Sequence, residues 1–207
     1  MTDRRAFLTA AGVALSVAAP LGAAAAAPGP ATEKAAAFDR TAFEARVRRP
    51  FPHRQVFASP RVADGAVFGF MANSLNAYDS GFGDGPGSLH AAAVFYGTGV
   101  ALAFDDRAWT TLGIAEIVRA AGDRVSTDPL GNPFIRMPQG RTYAELQRRD
   151  ASFFVCNNAL NDLAKRCGTT PDALRAHLLP GMLVVPAGVA AINALQEERF
   201  TLFQVLA

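Results

Sequence analysis

Two short apolar runs constrain the fold of this chain more than any other feature. Leu89 to Tyr96 (LHAAAVFY) lies between glycines, and Ala151 to Cys156 (ASFFVC) ends directly before a polar, helix-compatible stretch. Neither run alternates apolar with polar residues, so neither can keep one face in water. Strands of this kind are buried on both faces, as in a parallel sheet lying between two layers of helix. Of the 207 residues, 50% are hydrophobic, enough to sustain such a core and incompatible with a wholly disordered chain.

The rest of the sequence supplies the alternation that a parallel sheet needs. Arg54 to Ser59 reads as a short strand. Val67 to Tyr78 (VFGFMANSLNAY) places Val67, Phe70, Met71, Leu75 and Tyr78 on one helical face. Asp106 to Ala121 reads as one helix ended by Gly122, and residues 123 to 141, rich in Gly, Pro and Asp, as a long loop of the kind that is functional or mobile. A short helix follows from Thr142 to Arg149. Asn157 to Cys167 is a helix stopped by Gly168, and Thr170-Pro171 starts another with Thr170 as N-cap. Met182 to Val185 is a strand, Gly188 to Glu198 a helix, and Phe200 to Val205 the last strand. The expectation is a three-layer α/β/α domain with a mostly parallel sheet of about five strands, joined by right-handed crossovers, in a flavodoxin-like topology.

Open sheets of this type bind ligands beyond the C-terminal ends of their strands. That rule nominates Tyr96-Gly97-Thr98-Gly99, Cys156-Asn157-Asn158 and Pro186-Ala187-Gly188. Cys156 ends a strand where a helix begins, with Asn157 or Asn158 as its N-cap. A thiol there faces free N–H groups and the positive end of the helix dipole, which favours thiolate. Against this stands the buried structural cysteine, since free Cys is among the most buried residue types. Cys167 lies 11 residues on, near the far end of the same helix. At about 1.5 Å per residue the two are roughly 16 Å apart, well beyond the Cα separation of about 7 Å that a disulfide tolerates. Two free thiols, or an intermolecular bond, are expected.

The N-terminus reads as an export signal over residues 1–27. Arg4 and Arg5 precede Phe7 and Leu8, an apolar run continues to Ala19, and an alanine block follows from Ala23 to Ala27. The order resembles a twin-arginine signal, a receptor-read address rather than an anchor. The run is too short for a membrane span of about 20 residues. Such a signal implies a bacterial protein exported folded, to the periplasm or beyond. Residues 28–52 read as a tether, with a short helix near Thr41 to Val47, leaving 53–207 as the α/β domain.

Several chemistries are set aside. With 20 basic and 18 acidic residues the formal charge is +2, which gives no electrostatic case for nucleic acid or an anionic membrane. Gly81, Gly83, Gly85 and Gly87 precede a strand, whereas a phosphate loop follows one; they read as a helix-to-strand turn. Gly97-Thr98-Gly99 does follow a strand but lacks the third glycine. His53, His90 and His177 show no metal-ligand spacing, and His90 reads as a core or surface histidine. No metal or cofactor is expected. Asp105-Asp106 and Glu197-Glu198 read as caps or solvated faces, and no Gly-x-Ser-x-Gly elbow is present.

The stretch Phe153 to Gly168 (FFVCNNALNDLAKRCG) resembles the DsrE-like family, also called YchN-like or DsrE/DsrF-type. Leu179 to Pro186 and Val189 to Leu202 resemble its closing strand–helix–strand, and the helix with Asn73 and Asn76 followed by the strand into Tyr96-Gly97-Thr98-Gly99-Val100 resembles its first crossover. The resemblance spans about residues 54–206. It implies a trimer or hexamer and sulfur trafficking, with Cys156 carrying sulfane sulfur as a persulfide between a donor and an acceptor protein. Asn157, Asn158 and nearby backbone N–H groups would stabilise the anion. The resemblance departs in two respects: the best-known sulfur-relay members are cytoplasmic, and loop 123–141 looks like an insertion. A non-catalytic binding or assembly module of the same fold is the alternative.

Overall fold

The computed structural model describes residues 38–125 and 131–206. Arg4, Arg5, Phe7, Leu8 and the rest of the expected export signal lie outside the described residues, as does the middle of the 123–141 loop. Five strands form one sheet: β1 (His53–Ser59), β2 (Leu89–Phe95), β3 (Ser152–Cys156), β4 (Leu183–Val185) and β5 (Thr201–Gln204). All pairings are parallel, in the order β4-β3-β2-β1-β5. The helices are α1 (Arg40–Val47), α2 (Ala66–Asn76), α3 (Asp106–Thr111), α4 (Ile114–Ala120), α5 (Tyr143–Arg148), α6 (Asn157–Arg166), α7 (Pro171–Arg175) and α8 (Gly188–Glu197). The three-layer α/β/α architecture is the one expected. The strand order is not the flavodoxin order 2-1-3-4-5: β1 to β4 step in one direction, and β5 returns across the whole sheet to the far side of β1.

Strand periodicity divides the core in two. Phe57, Ala91, Ala93, Phe95, Phe153 and Val155 point to one face, where they meet Phe68, Met71 and Leu75 of α2, Trp109, Ile114 and Leu160. Val56, Ala58, Ala92, Val94, Phe154 and Val185 point to the other, under Phe43 and Val47 of α1 and Ala191, Ile192 and Leu195 of α8. Every residue of β2 and β3 is buried. The alanines at 91–93 let helices approach β2 closely from both sides, and the aromatics of β3 fill the wider space beside them.

Four local expectations are revised. The chain before β1 is not only a tether: the compact unit starts at Phe38. In α1, Phe43 is buried with its ring centroid 5.2 Å from that of Phe154. Asp39 caps this helix, accepting from the Ala42 N–H at 2.8 Å. Second, the 106–121 pattern is two helices, because Gly113 sits at φ 61° and breaks the run. Third, the α2 face is rotated: Phe68 is buried, whereas Phe70 is exposed and packs on Phe203, centroids 5.2 Å apart. One π-helical turn, Ala77–Gly81, continues α2 before the glycine turn into β2. Fourth, the described parts of the 123–141 loop belong to the core. Asn132 and Phe134 are buried, and Asn132 donates to the Phe104 carbonyl at 2.6 Å while accepting from the Phe134 N–H at 2.9 Å. A local composition rich in Gly, Pro and Asp could not show that one asparagine would find three backbone partners.

Phe43→Ala tests whether α1 is structural. Truncating a buried aromatic costs about 3–5 kcal/mol, so the urea midpoint should fall markedly; a midpoint within error of wild type would return this segment to the status of a tether.

Candidate functional site

The sheet topology decides where a crevice can open. The connection after β3 runs into α6 on the first face, and the connection after β4 runs into α8 on the second. Chains leaving adjacent parallel strands in opposite directions leave a gap between them, the place where open α/β sheets bind ligands. Here the gap lies between Cys156, the last residue of β3, and Pro186-Ala187-Gly188, which follow β4.

Cys156 is free and 6% exposed. Its position in β3 puts its side chain on the same face as Phe154 and therefore on the α8 side. The contact between the two sequence-nominated stretches runs through Gly188. A Cβ built there would stand 2.8 Å from Tyr96 Cβ and 3.3 Å from Cys156 Cβ. Only the absence of a side chain lets the first turn of α8 seat against β2 and β3 so closely. Burial pushes the Tyr96 phenol above its ordinary range.

Helices α1, α3, α5 and α7 each carry a side-chain cap, from Asp39, Asp105, Thr142 and Thr170. Four helices have none: α2 and α4, led by Gly65 and Gly113 in left-handed backbone, and α6 and α8, which flank the crevice and are led by Cys156 and Ala187. The first-turn N–H groups of α6 and α8 have no partner within the helix, and the positive ends of both dipoles meet beside Cys156.

The nominated residues separate into four groups. Cys156 and Gly188 are brought together, with Tyr96 against them. Pro186 and Ala187 border a groove of ≈ 360 Å³ between α1 and α8, floored by Phe43, Val47 and Ala191. Asn157 is the first residue of α6 and not its cap. Its side-chain oxygen Oδ1 accepts from Arg175 Nη2 at 2.5 Å, which leaves the side-chain N–H₂ as the part of this amide that can donate to an anion. Asn158 is exposed and not a cap either. The Asn-cap expectation fails because β3 runs straight into α6 with no intervening residue, so the cysteine itself occupies the cap position.

Gly97, Thr98 and Gly99 turn to the other face and open a 3₁₀ segment, Gly97–Ala103. Both glycines are needed for close approach: a Cβ on Gly97, at φ +54°, would lie 2.5 Å from the Pro60 carbonyl oxygen, and one on Gly99 would collide with that of Ser59; Gly97 and Thr98 also border a small cavity of ≈ 160 Å³ with Ile117, Ala159 and Asp162. Thr98 donates through Oγ1 to Asp123.

Asp123 escaped the sequence reading because it falls at the start of a polar loop. It is buried and accepts from the N–H groups of Val62 at 2.6 Å, Ala63 at 3.0 Å and Arg124 at 2.7 Å. These bonds hold the turn after β1, where Ala63, Asp64 and Gly65 all have positive φ. Burial pushes its carboxyl upward, but the bonds from Thr98, Ala63, Val62 and Arg124 together outweigh it, so the pKa falls below the ordinary carboxylate value. Arg175 was also missed; it holds Asp172 and Asn157 at 2.5 Å each, a role visible only once α7 folds back along α6. Among the described residues, no group of three or more His, Cys, Asp or Glu side chains is placed to hold a metal ion, and no helix is long and apolar enough to cross a membrane.

No protein-family model and no curated protein matches this sequence. Among solved structures, the chain is similar to MTH1491 from Methanobacterium thermoautotrophicum, a protein of unknown function. The identity is 20%, the match covers 74% of this chain and 99% of that one, and the TM-score is 0.43.

Two outcomes follow from this geometry. Gly188→Ala should destabilise the fold by about 1–3 kcal/mol, the usual range for overpacking, measured by chemical unfolding; an unchanged midpoint would mean that α8 shifts freely at this contact. Asp123→Asn turns an acceptor into a donor facing N–H groups and should cost about 2–3 kcal/mol near neutrality. Because the folded-state pKa is depressed, this stability is present above the unfolded value near 4 and is lost as pH falls through the lower folded value. The stability difference between Asp123→Asn and wild type should therefore shrink below pH 4; a difference independent of pH would disprove the linkage.

Proposed function

We propose that this protein is an exported, DsrE-like sulfur-trafficking protein in which Cys156 carries sulfane sulfur as a persulfide. The observation that supports it best is the meeting of one unpaired cysteine with two helix N-termini that lack side-chain caps, at the point in the sheet where a crevice opens. A persulfide is an anion near neutrality, and unpaired N–H groups with two dipole ends suit an anion. In the loading step the Cys156 thiolate attacks the outer sulfur of a sulfane donor R–S–SH. The donor S–S bond breaks, a new one forms on Cys156, and R–S⁻ leaves with the electron pair. Unloading repeats the step with an acceptor thiolate. Neither step needs an external oxidant.

The reading extends to a periplasmic location, a trimeric or hexameric assembly, and donor and acceptor proteins that meet the crevice. The alternative, a binding or assembly module of the same fold, has its own support in the 6% exposure of Cys156 and in the α1–α8 groove beside Pro186 and Ala187. In that reading the thiol is packing.

Intact-protein mass spectrometry separates the two. Mature protein exposed to polysulfide and analysed without reductant should gain one sulfur atom, and Cys156→Ser should gain none. Equal loading of Cys156→Ser would move the chemistry to Cys167. A wild-type protein inert to polysulfide, with both thiols free, would favour the binding module.

A further inference from the structure

At the opposite end of the sheet from Cys156, His90 is fully buried near the start of β2. Its Nε2 meets Ser152 Oγ at 2.9 Å, but its Nδ1 has no partner, nor does the buried Oγ of Ser88 on the same strand face. The ring is enclosed by two aromatics. Phe51 stacks on it at 4.8 Å and Phe200 meets it edge-on at 5.1 Å. The two covers differ in how firmly they are held. Phe200 is buried in the core; Phe51 is only half-buried and lies in the strap that joins α1 to β1.

The charges facing His90 are mostly positive. Arg49, in the strap, lies over Phe51 and pairs with Asp150 at 2.5 Å. Arg54, on β1, is the register partner of His90 and donates to the Glu198 and Arg49 carbonyls. Asp150, before β3, is the single acid that favours a charged ring. Glu197, Glu198 and Arg199, between α8 and β5, line the adjoining cleft with Arg54, and Glu198 is paired with Arg48.

From this arrangement we propose that His90 is an acid-sensitive latch: neutral, it holds Phe51 and the strap down, and protonated, it releases the strap together with α1 from the second face of the sheet. An imidazolium there would be a third cation beside Arg49 and Arg54, with one N–H unbonded. The least-held cover over it is Phe51, so the ring gains solvent by losing the strap. Release of α1 bares Val56, Phe154 and Val185, which Phe43 and Val47 otherwise cover. The device needs no sulfur chemistry and stands or falls independently of it. Burial, reinforced by Arg49 and Arg54, pulls the folded-state pKa of His90 down to about 4. The closed state therefore holds fully above the ordinary value of 6.5 and is progressively lost as pH falls from there toward 4.

Hydrogen exchange of the full chain at pH 7.5 and pH 4.5, corrected for intrinsic rates, reads the latch directly. The expected result is that peptides covering 40–52 lose about 70-fold in protection at the lower pH, the ratio set by pKa values of 6.5 and about 4, while β2 and β3 stay protected. His90→Phe removes the titrating group and keeps the Arg40–Glu44–Arg48–Glu198 pairs, so its 40–52 segment should be insensitive to pH; His90→Gln serves if that variant does not fold. Three results would overturn the latch: unchanged protection of 40–52 in wild type, equal loss in wild type and variant, or simultaneous loss across the whole domain.

Discussion

Complete burial of β2 and β3 is the constraint on which the rest of this structure depends. Two adjacent strands with no solvated face demand helices on both sides. Right-handed crossovers that step from β1 to β4 in one direction put α2 to α7 on a single face. The second face must be covered by what remains, and that is α8, on the return to β5, and α1, recruited from ahead of the first strand. The crevice beside Cys156 follows directly, because α8 has to leave β4 toward the face that α6 does not use.

The same constraint explains which parts of the molecule were legible in the sequence. The buried strands announced themselves through unbroken apolar runs, and the helix cap at Thr170 through local chemistry. The switch point was half legible: the strand-end rule selected Cys156 and Gly188 separately, but their contact depends on the strand order, which no local pattern encodes. Phe70 shows the limit of periodicity. Its spacing suits the inward face of α2, yet β5 lies at the sheet edge beside it, and Phe70 instead packs with Phe203 at the surface. Asp123 shows a different limit. A carboxylate in a polar loop looks solvated until backbone N–H groups from a left-handed turn are folded against it.

Gly97 and Gly188 show how one residue type at equivalent strand ends can take unlike roles. Gly97 follows β2 with a left-handed φ and lies against the Pro60 carbonyl, so its freedom serves the turn. Gly188 opens α8 in regular helical backbone, and its missing Cβ serves proximity. The first lets the chain turn against the end of β1; the second brings a helix terminus to a thiol. A glycine count at strand ends cannot separate these roles, whereas the neighbouring atoms do.

The two ends of the sheet then differ in electrostatic character for a topological reason. Parallel strands with crossover helices place helix N-termini at the C-terminal edge, where α6 and α8 lack side-chain caps, and this end suits a negative group. The N-terminal edge receives helix C-termini and loops. There Arg49 and Arg54 bond to carbonyl oxygens of Asp150, Glu198 and Arg49, which satisfies acceptors left over by those connections but concentrates positive charge around His90. A neutral imidazole is the form that such a location tolerates.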